Sequence, residues 1–254
     1  MRLILLLAFL LPTLHAADPA PKAAEPKKER KLAPGGKWLA GDMARPRPKV
    51  ITPPEPGTAP SDATVLFGPG SDLSLWKRDP RKDDPAPDDD KPRWVAKGDY
   101  FECTPKSGSI RTRAKYPGDQ HWHIEFATPA EVSGKSQGRG NSGVFISGFP
   151  EVQVLDSYQN DTYPDGQAAA LYHLYPPMVN ASRKPGEWQT YDIIYHRPIF
   201  KGKKVVKPAT FTVFHNGILV HDHTELSGGT GWRGAHSISP YVPHGDKGPI
   251  ELQD

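Results

Sequence analysis

The feature that most constrains this chain is a recurring two-residue alternation in short runs, punctuated by glycine and proline. In the run 121–126, Trp122, Ile124 and Phe126 take one side while His121, His123 and Glu125 take the other. Such a run makes a strand with one face on a core and the other toward water. Similar extended runs are read at 94–104, 109–112, 121–128, 143–147 and 151–157, then at 168–172, 188–196, 209–215, 218–223 and 250–253. Asn216-Gly217 stands between two of them, the strongest short hairpin signal. No 12-residue stretch shows helical periodicity with caps. The expected fold is all-β, a sandwich of two sheets. No internal repeat supports a propeller or solenoid.

Flanking composition sets the domain limits. Met1-Arg2 followed by the apolar run Leu3–Leu11 and a small residue at Ala16 reads as a secretory signal over 1–16. The expected destination is the periplasm or the exterior, with no transmembrane segment left in the mature chain. Residues 17–60 hold ten prolines, nine Lys/Arg and five Asp/Glu, with few apolar groups. Such a stretch does not offset its ordering entropy and reads as a disordered linker or spacer. The folded part is expected over 61–254, where 22 basic and 24 acidic residues leave no cationic surplus. Nucleic acid is therefore not an expected partner. The single cysteine, Cys103, has no partner for an internal disulfide and is expected in a core or strand position.

Polar residues worth chemistry concentrate in 138–160, GRGNSGVFISGFPEVQVLDSYQN. With Val152 and Val154 on the core, Glu151 and Gln153 point from the other face. A β-bulge between 153 and 156 would bring Asp156 to the same side. Five residues at about 3.3 Å span about 16 Å, and leaning side chains bring the two carboxyls toward the 5–9.5 Å range of glycosidase pairs. Gly140 and Gly143 read as a tight turn at the rim of that site. The acidic run 79–93 reads as a solvated loop, with a hard cation such as calcium as the alternative. The pairs His121/His123 and His221/His223 are read as solvated strand histidines in preference to a zinc site. Trp188 heads an alternating run and is expected in the core. No Gly-x-Ser-x-Gly elbow supports a serine hydrolase.

Several segments resemble the 3-keto-disaccharide hydrolase domain family. They are GRGNSGVFISG (138–148), EVQVLDSY (151–158), YPDGQAAALY (163–172), PPMVNASRKPGEWQTYDIIY (176–195) and HNGILVHDH (215–223), with VLFGPGSDLSLWK (65–77) at the start. The resemblance covers roughly 62–254 and implies a concanavalin A-like jelly-roll sandwich. Within that fold, Glu-x-Gln-x-x-Asp at 151, 153 and 156 looks like the Glu-x-Asp-x-x-Glu of glycoside hydrolase family 16. Gln153 in place of the middle acid weighs against a plain double-displacement glycosidase. Family members usually continue past LQD (252–254) with a last strand, so a truncation at Asp254 is one expectation.

The resemblance implies cleavage of glycosidic bonds in oligosaccharides or 3-keto-glycosides. A ketone at carbon 3 acidifies the hydrogen on carbon 2, and its removal lets the carbon 1 substituent leave. Hydrolysis and β-elimination both remain open. Glu151 or Asp156 is the expected base. Gln153, Asn141 and Arg139 are expected to bind the sugar. His173 and Tyr158, which lie in or beside the quoted motifs, and Arg183, which can clamp a hydroxyl or carboxylate, are further candidates. A divalent metal ion polarising the ketone is possible, and no other cofactor is implied. The alternative function is a non-catalytic, lectin-like sugar-binding module. Oligomeric state is left open.

Overall fold

The computed structural model describes residues 37–39, 42–53, 55, 58–79, 89–231 and 240–254. The expected signal (1–16) and most of the acidic run lie outside these residues. The chain divides into two compact units, Met1–Ala63 and Thr64–Asp254. The described part of the first holds turns rather than strands of any length. One is set by Asp42, whose backbone N–H donates to Leu39 O.

The second unit is an all-β sandwich. Its larger sheet has the order β1 (Trp76–Asp79), β4 (Ser109–Thr112), β15 (Ile250–Leu252), β7 (Ser142–Ile146) and β8 (Glu151–Val154). The smaller has β13 (Ile218–Glu225), β12 (Thr210–His215), β9 (Gln189–His196) and β6 (Gln120–Phe126). Three short pairs lie at the margins: β2 (Val95–Ala96) with β3 (Phe101–Glu102), β5 (Tyr116–Pro117) with β14 (Lys247–Gly248), and β10 (Ile199–Lys201) with β11 (Lys204–Lys207). Every pairing is antiparallel.

The alternation read from sequence decides what is buried. Ile110, Val144, Ile146, Val152 and Ile250 of the larger sheet join Tyr191, Ile193, Tyr195, Phe211 and Val213 of the smaller in one core. Each such side chain contributes about 1.5–3 kcal/mol on burial. The sheets are also tied by a polar link, since the Tyr191 hydroxyl donates to Gln153 O at 2.8 Å. Asn216 (φ 52) and Gly217 (φ 76) turn the β12–β13 hairpin; asparagine tolerates left-handed backbone and glycine has no Cβ to oppose it.

Four expectations are corrected. Residues 168–172 form no regular strand. They cross beside β8 as a strap joined by the single bridge Val152–Leu171 and by Gln153 N–H donating to Ala170 O. Trp188 is 48% exposed and meets Tyr100 edge to face instead of entering the core. Cys103 is exposed, just beyond β3. The His221/His223 pair also parts company. A register irregularity in the β12–β13 pairing accompanies His223 at φ 46, and His221 turns inward to donate to Ala169 O.

Candidate active site

Glu151 and Gln153 do leave the core-facing side to Val152 and Val154, but both are buried on their own side too. Glu151 is only 4% exposed. It has room because Gly143, opposite Gln153 on β7, carries no side chain. A Cβ built there would lie 2.5 Å from Glu151 Oε1. Gly143 is thus a strand residue that clears space for a carboxyl, not part of the expected tight turn; Gly140 (φ 53) does turn.

The strap closes the other flank. Tyr172 N–H donates to Glu151 O, and the Tyr172 hydroxyl sits 2.8 Å from that of Tyr163. Two strap residues, Ala169 (φ 67) and His173 (φ 60), hold left-handed backbone that a non-glycine residue adopts only under surrounding constraint. The His173 ring packs against Tyr172 and Tyr163. The Gln153 amide lies between Gln137 and Glu151. In one orientation its nitrogen donates to Gln137 Oε1, and in the other to Ser142 O and to Glu151 Oε1 at 3.0 Å.

This enclosure has an electrostatic consequence. Loss of water, reinforced by the negative charge of Glu251, pushes the Glu151 carboxyl up to about 8. A carboxyl raised that far suits a proton donor better than a ready base.

Asp156 has a different fate. The β7–β8 register runs without interruption to Ser142–Val154, so no bulge lifts Asp156 into line with Glu151. The chain leaves the sheet instead, and the Asp156 carboxylate takes charge-assisted bonds from Arg139 Nε (2.9 Å) and Nη2. It also accepts from Tyr158 N, while Arg139 reaches Tyr158 O and Gln159 O. Arg139, Asp156 and the Tyr158 backbone thus form a clamp that holds the 137–160 segment. The charge that Glu151 feels is that of Glu251, not of Asp156. Asn141 is exposed and donates to Gln137 O. Burial, aided by the nearby positive charge of Arg183, lowers the His215 imidazole to about 4.

The sequence reading missed the neighbours of Glu151 across the sheet. Register sets Phe145 between Glu151 and Glu251, then Arg111 beside Glu251, then Lys77 beside Arg111. These five make one row over the outer face. Lys77, Arg111 and Glu251 line a cleft of about 350 Å³, with Arg113 and Lys115 also on its wall. Burial and Asp79 push Glu251 up to about 7, with Arg111 opposing. Among the described residues, no group of three or more His, Cys, Asp or Glu is arranged to hold a metal ion. No helix among them is long and apolar enough to cross a membrane.

The family model described as the 3-keto-alpha-glucoside-1,2-lyase-like domain matches residues 62–254. The chain belongs to the 3-keto-disaccharide hydrolase domain family. Among solved structures, a candidate glycosyl hydrolase from Parabacteroides distasonis is 41% identical, with a TM-score of 0.73 over 84% of this chain and 86% of that one. A second candidate glycosyl hydrolase from the same organism is 15% identical, with a TM-score of 0.49 over 75% of this chain and 86% of that one; it has no bearing on the site. No curated protein matches. The matched 3-keto-disaccharide hydrolase domain spans the whole sandwich, including the row that holds Glu151.

Proposed function

We propose that this protein cleaves the glycosidic bond of a 3-keto-glycoside by β-elimination, with Glu151 protonating the departing oxygen. One observation carries the reading: a carboxyl nearly buried in the space left by Gly143, a setting that pushes it up to about 8. An acid of that strength is suited to a leaving alkoxide. A lectin needs no such group. The family description, which speaks of a 1,2-lyase, favours elimination over hydrolysis. Gln153 orients the Glu151 carboxyl, and the strap with Tyr172 and His173 bounds the sugar. The apolar run 3–11 supports a reaction outside the cytoplasm.

The test compares a methyl and a 4-nitrophenyl 3-keto-glucoside. Wild-type protein should convert both to an unsaturated keto sugar, seen by mass spectrometry. Glu151→Gln should lose about 10²–10⁴-fold on the methyl substrate and far less on the nitrophenyl one, whose oxygen leaves without a proton. Labelled water appearing at carbon 1 in the first product would mean hydrolysis instead. Sugar bound but never converted would mean the lectin-like alternative.

A further inference from the structure

Elimination needs a base as well as an acid, and the outer row holds a second carboxyl. Glu251 on β15 is separated from Glu151 by one strand. Phe145 on β7 is the register partner of both. Two strand spacings put the Cα atoms of the two glutamates about 10 Å apart. The half-buried Phe145 lies between them.

The two carboxyls have unlike settings. Glu151 is nearly buried, whereas Glu251 forms part of the cleft wall. The groups facing Glu251 are Arg111 on β4, Lys77 and Asp79 on β1, and Glu151 on β8, with Arg113 and Lys115 on the same wall. Arg111 and Arg113 are held by Asp79 (2.9 Å) and Asp90 (2.7 Å). Arg111 thus favours the ionised form of Glu251 against burial and Asp79, whereas burial and the like charge of Glu251 both disfavour ionisation of Glu151. Of the two, the nearly buried Glu151 is the better holder of a shared proton, and Glu251, on the cleft wall beside Arg111, is the better carboxylate.

We propose that Glu251 is the catalytic base that removes the carbon 2 proton, while Arg111 and Lys77 hold the enolate oxygen that forms at carbon 3. This rests on the reading of the site as one that cleaves 3-keto-glycosides. The Glu251 carboxylate takes the proton. The C2–H electron pair becomes the C2=C3 double bond, and the ketone oxygen becomes an enolate anion beside the two cations. The enolate then re-forms the ketone, the electron pair moves to C1=C2, and the C1–O bond breaks. The departing oxygen takes the proton of Glu151. Glu251 ends protonated and Glu151 ionised, and exchange with water restores both. No oxidant or reductant enters.

The experiment uses the full chain with both 3-keto-glucosides and a carbon 2-deuterated substrate. Glu251→Ala should lose about 100-fold or more on both leaving groups alike, unlike Glu151→Gln. Sodium formate should restore turnover of Glu251→Ala by filling the vacated position. Glu251→Gln, which preserves shape, should show the same loss, and its residual rate should lack the fall in activity below about pH 7. Glu251→Ala or Glu251→Gln within tenfold of wild type would overturn the assignment. So would a folded Glu251→Ala that formate leaves inactive, or a Glu251→Gln that keeps the acid limb. Wild-type protein inert toward both substrates would instead overturn the proposed function itself.

Discussion

Gly143→Ala tests the geometry of the site with one carbon. The new Cβ would stand 2.5 Å from Glu151 Oε1 and 3.1 Å from its Cγ and Cδ. Ordinary contact begins near 3.4 Å, so the carboxyl must retreat by roughly 1 Å, and misplacing a reacting group by that much costs about 10²-fold in rate. That corresponds to about 2.7 kcal/mol of transition-state stabilisation. Stability should change little, because the clash falls on the end of a side chain. Gly143 also lies outside the left-handed region, so alanine suits its backbone. The assay is turnover of methyl 3-keto-glucoside, beside a thermal melt. kcat should fall about 100-fold with a melting temperature within a few degrees of wild type. A variant that melts normally and turns over within threefold of wild type would refute the placement of Glu151 as the proton donor.

Three further outcomes follow from buried charge. Glu151 loses its proton near 4.5 when unfolded but near 8 when folded, so wild-type stability drains as pH rises through that window; Glu151→Gln should be the more stable protein at pH 8, by about 4 kcal/mol in urea unfolding. An unchanged difference between pH 5 and pH 8 would contradict it. Asp156→Asn weakens a nearly buried pair with Arg139 and should destabilise by about 3 kcal/mol, lowering the melting temperature by about 6–12 °C, without adding or removing a limb in the pH–rate profile. His215 takes a proton near 6.5 when unfolded but only near 4 when folded, so stability falls as pH drops between those values. His215→Gln should flatten that slope in melts from pH 7 to pH 4, and a slope equal to wild type would count against it.

Much of the sandwich is legible in the residues, because period-two burial is a local signal. β6 follows its alternation residue by residue, and Asn216-Gly217 turns where it is expected. β1, β10 and β11 lie outside the runs read from sequence, since each is only three or four residues long and carries charged residues. Glu151 and Gln153 were correctly placed off the core, but their burial was not foreseen. It depends on the strap 168–175 and on the absent side chain of Gly143. Asp156 was grouped with Glu151 by spacing, whereas its position follows from Arg139, seventeen residues upstream. Glu251 lay in an anticipated strand, yet nothing near it in the chain indicates that Phe145 and Glu151 are its neighbours. Antiparallel register brings residues a hundred positions apart into one row, and no spacing rule reports that.

The strap beside β8 has a consequence apart from chemistry. The last strand of a sheet ordinarily presents free amides that another copy can zip onto. Here Gln153 already gives its N–H to Ala170 and accepts from Ala169, and Glu151 O accepts from Tyr172. Loosening the strap would do two things at once: it would wet the acid and bare a sticky border, so inactivation and clumping should arrive together when this protein is heated.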